Sequence, residues 1–177
     1  MEDWHSLARI DATTTGLWFF NSGPDAGASQ PHRHLQLLPR LEGERICARD
    51  DWFRCCAAGT TTSAQDPLLR SARVAAISST LTGEMLQALY LALAEDLGLG
   101  HPSTDECPRG AYNLLLTRQW MAMVRRSREG IRGFSVNALG FAGSLLSTDA
   151  SDREWIHRSG PEALLQAVVD TQDLKVR

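Results

Sequence analysis

Residues Asn21 to Pro39 read N-S-G-P-D-A-G-A-S-Q-P-H-R-H-L-Q-L-L-P, a loop of small and polar residues running into His32, His34 and Gln36 at alternate positions. Taken as a strand from His32 to Pro39, the run places those three side chains on one face and turns Arg33, Leu35 and Leu37 the other way. Two imidazoles and an amide on one face, beside a loop whose backbone can approach a ligand closely, suit the handling of a phosphoryl group.

The flanking sequence frames this stretch. Asp3 to Asp11 carries Trp4, Leu7, Ala8 and Ile10 at helical spacing, and Leu17 to Phe20 is wholly apolar, as a buried strand requires. Asn21-Ser22-Gly23-Pro24 breaks that strand. Leu41 to Ser79 reads as an irregular connection with one strand around Ala72 to Ile77. Thr82 caps a helix whose stripe is Leu86, Leu89, Tyr90, Leu93 and Leu97, and Gly98 stops it. Gly98 to Gly110 is a surface loop. Tyr112 to Thr117 and Trp120 to Val124 form a hairpin across Arg118-Gln119. Val136 to Leu146 is spaced for a helix, and Pro161 starts a last one through Leu164-Leu165 and Val168-Val169.

With 177 residues, 43% of them hydrophobic, the chain suffices for one domain with a substantial core. A net charge of −3 gives no electrostatic reason to invoke nucleic acid or an anionic membrane surface. No apolar run approaches the ~20 residues of a membrane helix. The opening M-E-D-W-H-S lacks a basic region followed by an apolar one, so the expected compartment is the cytoplasm. Cys47, Cys55, Cys56 and Cys107 show no C-x-x-C spacing and read as free thiols. Lys175 is the only lysine, so the chain's fixed positive charge is carried by arginine, whose planar fork suits phosphate.

A neutral imidazole attacks an activated phosphate well, and its phosphoramidate passes the group on, so one histidine can divide a transfer into two steps. The run Ser29-Gln30-Pro31-His32-Arg33-His34-Leu35-Gln36 resembles the active-site motif S-[NQ]-P-H-x-H-x-Q of the transferase branch of the histidine-triad superfamily. Within that branch the match is nearest to the ATP adenylyltransferases, or diadenosine tetraphosphate phosphorylases. Further resemblance lies in Tyr112-Asn-Leu-Leu-Leu-Thr-Arg118, in Trp120-Met121, and in Ser135-Val-Asn-Ala-Leu-Gly-Phe-Ala-Gly143. What this implies is an α+β, histidine-triad-like fold, an antiparallel sheet with flanking helices. It also implies a single domain over 1–177, with the active-site strand and loop in 1–40 and the family's C-terminal region in 80–177. Family members are longer, so the expectation is the C-terminal portion of such an enzyme, incomplete at its N-terminus, with a separate chain as one source of the missing part.

The resemblance makes His34 the nucleophile, His32 its hydrogen-bonding support and Gln36 a ligand of the transferred phosphate. Asn21, Ser22, Gly23, Gly27, Ser29 and Gln30 would bind substrate phosphate. Arg118 and Arg126 are further candidates, against the plainer expectation of solvated arginines after a strand. The implied reaction converts diadenosine tetraphosphate and inorganic phosphate to ATP and ADP, or the reverse, through an AMP–histidine adduct. Gln36 favours transfer over hydrolysis, because hydrolytic members of the superfamily generally carry a third histidine there. The implied partners are adenine nucleotides, diadenosine polyphosphates and inorganic phosphate; no cofactor is bound covalently, and a divalent cation, magnesium in this family, accompanies the substrate. The alternatives are a catalytically silent nucleotide-binding or scaffold fragment, and uridylyl in place of adenylyl transfer. A zinc site at the histidine pair lacks further ligands at convincing spacing. His5, His101 and His157 read as surface residues, Trp120 as buried, and Met121 and Met123 as core filling.

Overall fold

The computed structural model describes residues 2–40, 44–62, 64–78 and 80–169. Its centre is an antiparallel five-stranded sheet in the order β2-β1-β4-β5-β3, made of β1 (Gly16–Asn21), β2 (Gln36–Pro39), β3 (Ala72–Ala76), β4 (Tyr112–Leu116) and β5 (Trp120–Arg125). The chain is thus α+β, with helices on both faces of the sheet. The three central strands are near-continuous apolar runs because both of their faces are covered.

The register assigns each side chain to a face: Trp18 lies opposite Leu116 on β4 and opposite Leu37 on β2, and Leu114 lies opposite Met123. Trp18, Leu114, Leu116, Met121 and Met123 pack on Leu7 of α1 (Glu2–Asp11) and on Leu86 and Leu93 of α3 (Gly83–Asp96). On the other face, Leu17, Phe19, Leu115, Trp120 and Ala122 meet Phe53 of α2 (Asp50–Ala57), Phe141 of α4 (Ala138–Ala142), and Leu164 and Leu165 of α6 (Pro161–Ala167). Thr82 caps α3 by accepting from the Met85 amide, and Gly98 follows with φ 64°.

The structure departs from the sequence reading in four places. The stretch read as irregular contains α2 and a 3₁₀ turn at Pro67–Arg70 besides β3; its ends, Leu41 and Ser79, lie outside the described residues. α2 buries Phe53 fully and packs Trp52 and Ala57 against the core, but its apolar stripe runs over only two turns. Val136 to Leu146 yields only the five-residue α4, preceded by a two-residue hairpin of β6 (Gly130–Ile131) and β7 (Phe134–Ser135). A further helix, α5 (Arg153–Ser159), buries no residue fully. The strand expected from His32 begins at Gln36, whose partner is Phe19; upstream, β1 continues through Phe20 and Asn21 paired only with β4. His32 and His34 therefore lie in an irregular segment at the sheet's edge. None of the described helices is long and apolar enough to cross a membrane.

Candidate active site

β1 delivers the loop. After Asn21, Ser22 extends the pairing with β4: its amide donates to the Tyr112 carbonyl at 3.1 Å, and its hydroxyl oxygen accepts from the Tyr112 amide at 2.8 Å. Pro24–Ala26 then forms a 3₁₀ turn. Within it the amides of Ala26, Gly27 and Ala28 donate to the carbonyls of Gly23, Pro24 and Gly23, at 2.9, 2.8 and 3.0 Å. These three amides are engaged by the loop itself, so phosphate donors must come from the Ser22, Ser29 and Gln30 side chains and the flanking backbone. Gly27 has φ 77°, and a Cβ there would stand 2.7 Å from the Val136 carbonyl oxygen. Both facts demand glycine.

Arg126 supports this loop from the interior. It is 3% exposed, and its guanidinium donates to the Asn113 side-chain oxygen at 2.5 Å and to the carbonyls of Val136, Arg128, Glu129 and Val168 at 2.8, 2.8, 2.9 and 3.1 Å. Asn113 in turn donates to the Ala26 carbonyl at 2.8 Å and to Asn21 Oδ1 at 2.7 Å, and that same oxygen accepts from the Ala138 amide at 2.9 Å. One buried charge thus ties the loop, β4, the two flanks of the β6–β7 hairpin, α4 and the end of α6 together. Burial pushes the Arg126 guanidinium down to about 10, which leaves it charged at neutral pH. Asn21 lines the site, but its side-chain oxygen is engaged in holding the loop.

Two adjoining cavities open beside the loop. The first, about 390 Å³, lies under α1 and is walled by Trp4, Trp18, Phe20, Tyr90 and Tyr112, with His34 and Arg33 at its edge. The second, about 710 Å³, is the more polar of the two and is bounded by Asn21 to Asp25, Ala28 to Arg33, and Cys107 to Tyr112 apart from Arg109. Phe20, Arg33, Tyr90 and Tyr112 border both. The Tyr90 and Tyr112 hydroxyls are 2.8 Å apart, and burial pushes the Tyr112 phenol well above its usual range.

His34 Nδ1 lies 2.9 Å from the His32 carbonyl oxygen. A carbonyl only accepts, so Nδ1 carries the hydrogen and the neutral ring keeps its lone pair on Nε2. The His32 ring lies 5.1 Å from that of His34, centroid to centroid, and borders the polar cavity. Gln36 is separated from them: paired opposite Phe19, it sits on the sheet face away from α1 and lines neither cavity. The expected single face for His32, His34 and Gln36 fails because the backbone before Gln36 has no strand partner to impose alternation.

Ser22, Gly23, Ser29 and Gln30 line the polar cavity; Gly27 shapes the loop behind it. Arg118 stands at the opposite end of β4, bonded through Nε to Asp11 Oδ2 at 2.7 Å and through a terminal nitrogen to the Asp11 carbonyl. There it borders a separate cavity, with Arg40 and Arg45; neither it nor Arg126 lines either of the two cavities beside the loop. Arg33 does, as do Asp3 and Trp4 from α1 and Tyr90 from α3, and none of these was singled out by the motif. A phenol inside the apolar stripe of α3 was a usable signal for Tyr90, since a buried tyrosine hydroxyl seeks a partner. Arg33 was hidden by the strand assumption itself.

A sequence model described as the ATP adenylyltransferase C-terminal domain matches residues 65–169, and one described as the Ap4A phosphorylase N-terminal domain matches residues 1–46. Protein APA1 of Saccharomyces cerevisiae is 29% identical over 145 residues, which cover 73% of this chain and 44% of the yeast protein. Diadenosine tetraphosphate phosphorylase 2 of the same yeast is 28% identical over 153 residues, covering 78% of this chain and 46% of that protein. The chain spans about half the length of these curated relatives. The crystal structure of yeast Ap4A phosphorylase Apa2 matches with a TM-score of 0.69 at 22% identity, over 95% of this chain and 61% of that one. That likeness shows a shared fold.

Proposed function

Because the chain belongs to the ATP adenylyltransferase C-terminal domain family, we propose that its site splits diadenosine tetraphosphate with inorganic phosphate into ATP and ADP through His34, and runs the same steps in reverse. The observation that carries this reading is the hydrogen bond from His34 Nδ1 to the His32 carbonyl, which leaves Nε2 as a lone-pair nucleophile on a residue that lines the aromatic cavity, next in sequence to Arg33, which borders both.

In the first step Nε2 attacks the phosphorus that bears one adenosine. The N–P bond forms, the bond from that phosphorus to the bridging oxygen breaks, and ATP departs with the bond's electron pair. Positive charge grows on the imidazole as this happens, and the His32 carbonyl, accepting from Nδ1, stabilises it. In the second step an oxygen of inorganic phosphate attacks the same phosphorus, the N–P bond breaks, and ADP leaves a neutral His34. Ser22, Ser29 and Gln30 supply donors to the phosphate oxygens, with the Gly27 turn shaping the loop. The aromatic cavity under α1 takes the adenosine next to the reacting phosphorus. Gln36 has no part in this account, since it borders neither cavity.

Among the described residues no three His, Cys, Asp or Glu side chains converge as metal ligands. The divalent cation that the family implies is therefore assigned to the substrate's own phosphates, where it would offset their charge. A cytoplasmic setting fits four cysteines left as thiols.

The test is incubation with diadenosine tetraphosphate followed by intact-mass measurement. The protein gains one adenylyl group, His34→Ala gains none, and ATP and ADP accumulate together only when phosphate is added. No adduct and no phosphate-dependent product would sink the proposal. Competition by UDP-sugars for the adduct separates adenylyl from uridylyl transfer.

A further inference from the structure

We propose that Arg33 is the residue that meets the charge of the substrate's phosphates, and that Asp3 is its resting partner, displaced when a polyphosphate binds. The proposal rests on the phosphoryl-transfer reading of the same site and adds to it a residue at the variable position of the motif.

Among the described residues, Arg33 is the single arginine or lysine lining either cavity, and it lines both. The other charged neighbours there are carboxylates, Asp3 in the aromatic cavity and Asp25 in the polar one. Every phosphate in a polyphosphate chain carries negative charge, and a site that offers it two carboxylates needs a cation in compensation. Arg33 stands between His32 and His34 in the sequence and shares the aromatic cavity with His34 and the polar one with His32, so its guanidinium has both cavities within its range. A planar fork there can bind two oxygens at once.

Arg33 is at present engaged elsewhere. Its guanidinium lies 2.9 Å from the Asp3 carboxylate, with side chains 75% and 49% exposed. An exposed pair of this kind is weak, and displacing it lowers affinity by no more than about fivefold. Asp3 is the anchored member: α1 is fixed by buried Leu7, by Trp4 against Tyr90 at 5.3 Å, and by Asp11 bonded to Trp18 and Arg118. Arg33 sits on the segment that lacks strand pairing. The guanidinium is therefore the group that moves, from carboxylate to phosphate, across the junction of the two cavities.

Calorimetric titration with inorganic tripolyphosphate, and in parallel with ATP, tests this without requiring catalysis. Arg33→Gln weakens both ligands by about tenfold or more, as loss of a charge-assisted pair predicts. Asp3→Asn tightens both by about two- to fivefold, and that gain vanishes in the Asp3→Asn/Arg33→Gln double variant. Wild-type affinity in Arg33→Gln overturns the proposal, as does a wild-type protein that binds neither ligand. An unchanged or weakened Asp3→Asn, or a gain that persists undiminished in the double variant, overturns the role of Asp3. If the tripolyphosphate ratios hold while no adduct forms on His34, the transfer reading fails and Arg33 stands; adduct formation with Arg33→Gln binding unchanged gives the converse.

Discussion

The loop at Gly23 to Ala28 and the segment at Pro31 to Leu35 meet at the polar cavity, yet they are built in opposite ways. The loop is held from the interior, by an arginine whose guanidinium is consumed on carbonyls and one asparagine. Among the described residues the histidine segment is held by one side-chain bond to its own backbone, one exposed ion pair and the packing of Leu35 against the core. Buried and fully bonded, Arg126 is architecture. Arg33, exposed and singly paired, is available to a ligand. The contrast separates a fixed cradle for phosphate from a nucleophile segment that has room to adjust, as expected where binding elements are drawn from the less stable parts of a fold.

The largest expected effect tests the second half of that contrast. His34→Ala should lower turnover by about 10⁴-fold or more, because no other group replaces the attacking nitrogen. Its unfolding free energy should stay within about 0.5 kcal/mol of the wild type, as for a surface substitution away from structural features. Denaturant unfolding beside single-turnover kinetics would check both; a marked loss of stability would mean that the segment is built into the fold more firmly than its contacts indicate.

Arg126→Ala inverts the pattern. Removing one partner of a buried charged network leaves the Asn113 oxygen and several carbonyls without a donor, which costs about 3–5 kcal/mol. Arg126→Lys keeps the charge but not the five-donor fork, so an intermediate loss is expected. If the urea midpoint of Arg126→Ala matched that of the wild type, the loop would have some other support. Gly27→Ala is gentler: a left-handed φ and a Cβ against the Val136 carbonyl together cost about 1–3 kcal/mol. Because the strain falls on the phosphate loop itself, KM for the polyphosphate should rise more than kcat falls.

The same contrast explains what could be read without coordinates. Leu17 to Phe20, Tyr112 to Thr117 and Trp120 to Val124 were legible as strands because central strands covered on both faces become apolar runs, and α3 was legible from its stripe. α2 and α5 were not, since a stripe confined to helices of eight and seven residues is too short to stand out from its polar surroundings. The histidine motif identified the chemistry, but the directions of its side chains depend on strand pairing, which the motif does not encode. The Arg126 network joins carbonyls from residues 26, 128, 129, 136 and 168 directly or through Asn113, a convergence that no local spacing announces. Asn113 within Y-N-L-L-L was the available hint, because a buried amide in a strand demands a partner.

Between the two extremes lies the loop from Gly98 to Gly110, exposed like the histidine segment but tied like the phosphate loop, by one carboxylate. Asp105 accepts from the His101 amide at 3.0 Å, from Thr104 Oγ1 at 2.7 Å and from Arg109 Nε at 2.7 Å. Arg109 foremost, with Thr104 and the His101 amide, holds its carboxyl at about 2, below the ordinary 3.8. A carboxylate depressed in the folded state stabilises it above the unfolded value, and that contribution is lost as pH falls from near 4 through about 2. Amide exchange across residues 99–110 should therefore speed up, relative to the intrinsic rate, over that interval, while amides of β4 and β5 keep their protection. Asp105→Asn should show the faster exchange already at pH 5. Cys107 and Pro108 of this loop border the polar cavity, so the same variant should bind the polyphosphate slightly more weakly. A loop equally protected in both proteins would place it with the Arg126-supported cradle rather than between the two regions.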